Sequence, residues 1–300
     1  MTTMRYPRLR YQSERGWLVA SDALLMCFYI RHPHKQIAPA VMRALELFRE
    51  RIHPYRITRY VGDGQTEPLD DSAWEKIRQE ILGPNDAALV QMEDDSRWTG
   101  KLFVDYRGLP VVPLPWKWRE DDVSVLYLRL PTEYLEAQGP ERVRALAIDL
   151  AQELPFSSGY TDFVLCEASW TMGKAIDLVR PRYPGVEVAP SSANLGMNTW
   201  VDGVHWMNFL GQPVLGQLGG MAGLREHLAL PGISLLEMSG DRVLITLGER
   251  PEPGDVEAGQ TLPLHRALAR ILEPHLHHRR AERTCLSPEE LLRWECRFLD

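Results

Sequence analysis

The densest group of ligand-type side chains is His275-Leu-His277-His278-Arg279-Arg280. A metal site needs ligands held in fixed geometry, often with a carboxylate or thiolate close by. His275 and His278 share a helical face if the preceding helix runs on, and Glu282 is near, but Pro274 interrupts that helix. A solvated polar connection between two terminal helices explains the same residues. Cys166 with Asp202 and His205 has the residue types of a nucleophile set, which needs a base in reach and an accessible electropositive pocket. Cys166 lies between Leu165 and Glu167 in an apolar strand, where burial is the expected fate. Asp22 and the Glu93-Asp94-Asp95 run do not form a two-carboxylate pattern; the run reads as a polar turn. Gly62-Asp63-Gly64 and Gly219-Gly220-Met221-Ala222-Gly223 match neither glycine-rich phosphate motif. The reading is therefore a protein that is not an enzyme, with no cofactor and no metal. A metal-dependent or other enzyme using His275, His277 and His278 is the alternative.

Binding chemistry is better represented. The chain has nine tryptophans. Trp116 and Trp118 stand in a proline-rich stretch followed by Glu120-Asp121-Asp122, and Trp98 follows the acidic turn. A partly exposed tryptophan anchors interfaces, and acids beside it suit a basic protein partner. The same tryptophans could instead cover a core from a linker. The expected partner contacts are Glu93, Asp94, Asp95, Trp116, Trp118, Asp121 and Asp122.

The chain around these residues has 300 positions, with 34 Lys plus Arg against 41 Asp plus Glu, a net charge of −7. Its 44% hydrophobic and 25% charged content is that of a globular protein, which excludes a disordered or collagen-like chain. A pI near 5.8 argues against a general nucleic-acid binder. The longest uninterrupted apolar run, residues 23–30, is far short of the roughly 20 residues that cross a bilayer, and Asp22 and Arg31 flank it too closely for a signal peptide. Four scattered cysteines without a CxxC point to a reduced, cytoplasmic protein.

Positioning these residues requires strands and helices in alternation. Leu24 to Ile30, then Arg31-His32-Pro33 and a helix containing Val41 to Leu45, resembles Val123 to Leu128, then Arg129-Leu130-Pro131 and a helix containing Val143 to Leu146. The two segments suggest internal duplication of a strand–helix–hairpin unit. Further helices are expected at 73–82, 140–153, 175–180, 214–228, 264–272 and 288–298. Strands are expected at 87–92, 101–106, 163–168, 205–210, 233–238 and 242–247. Ser287 caps the last helix, with Pro288 at its first position and Glu289 and Glu290 in its first turn. Interspersed hairpins give an α+β fold with mixed or antiparallel sheets and packed helices. The organisation expected is an N-terminal half over 1–108, a Pro/Trp-rich connection over 109–122, and a C-terminal half over 123–300, the two halves either separate or in one compact domain.

Several segments carry a family resemblance: Val204-His-Trp-Met-Asn-Phe-Leu-Gly211 with Val214-Leu-Gly-Gln-Leu-Gly-Gly220, Gly254-Asp255-Val256 with Leu262-Pro-Leu-His-Arg-Ala-Leu268, and upstream Leu130-Pro-Thr-Glu-Tyr134 and Leu154-Pro-Phe-Ser-Ser-Gly-Tyr160. In this order they resemble the type VI secretion immunity family associated with virus-type replication-repair nuclease effectors. The resemblance runs from about Leu24 to about His275. It implies a cytoplasmic protein that binds a toxic nuclease effector and blocks it by occlusion, without catalysis. Its motifs look like turns and core, so it transfers no functional residue.

Overall fold

The computed structural model describes residues 6–62, 64–95, 102–110, 122–167, 174–188, 195–278 and 287–299. Trp98, Trp116, Trp118, Asp121, Trp170 and Cys285 lie outside them. The longest strand, β2 (Leu18–Ile30), runs through the middle, with a short β1 (Tyr11–Gln12) beside it. From Val19 onward every β2 residue is buried. Side chains alternate across a strand, so Leu24, Met26, Phe28 and Ile30 enter one core while Ala23, Leu25, Cys27 and Tyr29 enter another. A strand buried on both faces reads as a continuous apolar run, as this one does.

The sheet grows outward from β2. On one side lie β7 (Ser124–Pro131), β6 (Phe103–Gly108), β5 (Ala88–Glu93), β3 (Arg59–Gly62) and β4 (Gln65–Pro68). On the other lie β8 (Ser158–Glu167), β10 (Met207–Leu210), β12 (Arg242–Leu247) and β11 (Ile233–Met238). All these pairings are antiparallel; β9 (Glu187–Val188) alone among the described strands pairs in parallel, with β8. The twelve described strands form one sheet, so the fold is α+β as expected.

One face of the sheet is covered by helices. In α1 (His34–Arg51), Ile37, Val41, Ala44, Leu45 and Phe48 recur at helical spacing and are buried. In α2 (Asp71–Leu82) the same holds for Ala73, Ile77 and Ile81, and Asp70 caps the helix by accepting the Ala73 N–H at 2.8 Å. After the short α3 (Thr132–Gln138), α4 (Pro140–Glu153) occupies the expected span and buries Val143, Leu146, Ala147, Leu150 and Ala151. Arg242 donates to the carbonyls of Ala151 and Leu154 at the end of α4, tying it to the start of β12.

The opposite face carries a second core at the β10–β12 end, built with α6 (Val214–Gln217), α7 (Gly220–His227) and α8 (Pro263–Leu272). A short α5 (Lys174–Val179) follows β8, and α9 (Pro288–Glu295) closes the described chain behind a Ser287–Glu290 capping box, as its sequence indicated.

Two expectations change. The helix expected over 214–228 is two helices. Gly219 and Gly220 both take positive φ, which breaks the hydrogen-bond ladder between α6 and α7. A Cβ on Gly223 would meet the Leu218 carbonyl oxygen at 2.2 Å, so this glycine serves the tight turn between the two helices. Internal duplication is not confirmed. The two strand–helix units, β2–α1 and β7–α4, lie side by side in the sheet, but the connections then diverge. The first leads through a small hairpin and α2 to β5 and then inward to β6, whereas the second returns directly to β8 beside β2 and then goes outward to β10.

Candidate functional site

The described acidic residues of the expected contact surface occupy two places. Glu93 ends β5, opposite Phe103 in β6 and Arg59 in β3, and its carbonyl accepts the Thr58 N–H at 3.0 Å. Asp94 closes the turn: its carboxylate accepts the Leu102 N–H at 3.1 Å, and its own N–H donates to the Leu102 carbonyl at 3.2 Å. Asp95 is exposed beyond it. Asp122 stands half-buried before β7, near Leu109, whose N–H donates to the Ser124 hydroxyl at 3.0 Å. The length of β6 separates these two places, about 17 Å at strand rise. The structure thus groups Glu93, Asp94 and Asp95 and sets Asp122 apart. Trp116, Trp118 and Asp121 lie outside the described residues.

The face between those two ends has a polar pattern that the sequence reading missed. Arg107 forms an ion pair with Asp105 at 3.0 Å, and the guanidinium of Arg129 lies 5.0 Å over the Phe103 ring. Burial raises the Asp105 carboxyl above its ordinary range, and Arg107 opposes that rise. Alternation in Phe103-Val-Asp-Tyr-Arg-Gly108 was the available signal, since Asp105 and Arg107 fall opposite in phase to the core residues Val104 and Tyr106.

The histidine cluster is not helical. α8 ends at Leu272, a 3₁₀ turn covers Glu273–His275, and Leu276 is extended. Val201 brackets this segment, donating to the His275 carbonyl at 2.9 Å and accepting the His277 N–H at 2.8 Å. His275 lines a shallow cleft with Thr199, Trp200, Val214, Gln217 and Pro274. His278 instead reaches Glu295 of α9 at 3.0 Å. The helix does not run on past Leu272, so His275 and His278 do not share a helical face. Among the described residues no three His, Cys, Asp or Glu side chains are placed to hold a metal ion.

Cys166 and His205 are both buried, and no hydrogen bond between them is seen. Cys166 joins the apolar core formed by Cys27, Val125, Tyr127 and Val164. His205 stacks on Tyr160 with ring centroids 3.9 Å apart, and its Nδ1 lies 3.5 Å from an oxygen of Asp162. Asp202 accepts the Tyr29 hydroxyl at 2.6 Å. The carboxylate beside His205 is thus Asp162, which the sequence reading did not single out. Asp162 also accepts the N–H groups of Phe163 and Trp206. Burial raises its pKa, and the His205 contact and these N–H groups oppose the rise. Burial likewise holds the phenols of Tyr29 and Tyr160 well above their ordinary value, and pushes His265 down to about 3. His205 and Asp162 are 1% and 2% exposed, so no substrate reaches the pair without an opening of the core. Their geometry fits a buried structural network.

Sequence comparison supplies what the side-chain chemistry does not. A family model described as type VI immunity for VRR-NUC, TsiV, matches residues 40–298. The chain belongs to this family. The match extends past His275 to include α9, further than the motifs alone suggested. Among solved structures, the T6SS protein PA0821 of Pseudomonas aeruginosa is similar, with a TM-score of 0.78 and 20% identity over 97% of this chain and 87% of that one. At that identity the likeness establishes a shared fold. A comparison with curated proteins gave no match. Among the described residues no helix is long and apolar enough to cross a membrane.

Proposed function

We propose that this TsiV-family chain is an immunity protein that binds a cognate type VI nuclease effector in the cytoplasm and neutralises it by occlusion, without catalysis. The observation that carries this reading is the family match over residues 40–298. The net charge of −7 supports it, because an enzyme that grips DNA presents a basic surface. Charge complementarity speeds encounter, and buried aromatic anchors slow release. The proposed contacts are Glu93, Asp94, Asp95, Trp116, Trp118, Asp121 and Asp122. Of the described ones, Asp95 suits substitution best, since it is exposed whereas Asp94 holds its own turn.

The test is co-purification with the product of the adjacent gene, together with growth of cells expressing that product. A stable complex and rescued growth are expected. Charge reversal at Asp95, Asp121 and Asp122 should weaken binding by at least about tenfold at low salt and by less at high salt, since salt screens attraction between the partners' charges. Equal affinity for the reversed variant would move the interface elsewhere on the surface. Absence of both complex and rescue would remove the immunity reading.

A further inference from the structure

We draw no further inference here: the strongest candidate, the shallow cleft that Trp200, Gln217 and His275 line between α6 and the turn after α8, carries nothing because nothing in the structure shows what covers it.

Discussion

His265 on α8 is buried against Phe298, with ring centroids 5.3 Å apart, and its pKa falls to about 3 because burial disfavours the imidazolium and both His205 and Arg297 add repulsion. The folded pKa of this base lies below its unfolded value of about 6.5. Between those values the unfolded chain binds a proton that the folded chain refuses, so stability falls as pH drops from about 6.5 toward 3, by up to about 1.4 kcal/mol per pH unit. Asp162 acts in the opposite sense. Its pKa is raised, so the folded state holds a proton more readily than the unfolded state, and its burial cost eases in acid. The histidine sets the expected net slope over the mildly acidic range. The melting temperature should fall from pH 6.5 to pH 4, and His265→Leu should flatten that decline; an unchanged slope in the variant would assign the acid sensitivity to another group. None of this was visible in the sequence, where His265 is one polar residue in an amphipathic helix. Its burial depends on Phe298, more than thirty residues away.

At the scale of elements, the C-terminal segment is held by a buried ion pair. Arg297 donates to Glu187 of β9 at 2.8 Å and to the Pro184 carbonyl at 2.7 Å, and its guanidinium lies 3.9 Å over Trp294. Glu187 is 2% exposed at its side chain and Arg297 11%. Removing one partner of such a pair leaves a desolvated charge and costs about 3–5 kcal/mol. Glu187→Ala should therefore lower the melting temperature and make the region around α9 susceptible to limited proteolysis at concentrations where the parent chain resists. Equal protease resistance would show that apolar packing of Phe298 suffices to hold the segment. The sequence identified α9 and its Ser287 cap because capping is local. The helix's attachment to β9 is a contact between segments about 110 residues apart, and no local pattern encodes it.

Across the whole molecule, β2 couples the two ends of the chain. It pairs with β7 over Ala23 to Ile30 and with β8 over Ala20 to Tyr29. Both neighbours come from beyond residue 123, while α1 covers one face of β2 from within the first 108 residues. A fragment of residues 1–108 should therefore lack cooperative thermal unfolding by circular dichroism, since its longest apolar strand would keep only the short pairing with β1 near its start. Co-expression with residues 123–300 should restore a cooperative transition. A fragment that melts cooperatively alone would show that α1, α2 and the β3–β6 hairpins form a sufficient core.

The α+β class, the span of α4, the β5–β6 and β11–β12 hairpins, the cap of α9 and the family were legible in the residues alone, while the β3–β4 hairpin was not. Each rests on short-range periodicity, turn chemistry or ordered motifs, which sequence carries directly. The break between α6 and α7 was partly legible, since its glycines were visible but their positive φ was not. Three features were decided only by the tertiary structure: the insertion of β7 between β2 and β6, the pairing of His205 with Asp162 in place of Asp202, and the dispersal of the three histidines. Each depends on which distant segments share the sheet. Many pairings satisfy the same alternation of apolar and polar residues, and only packing of both faces at once selects one of them.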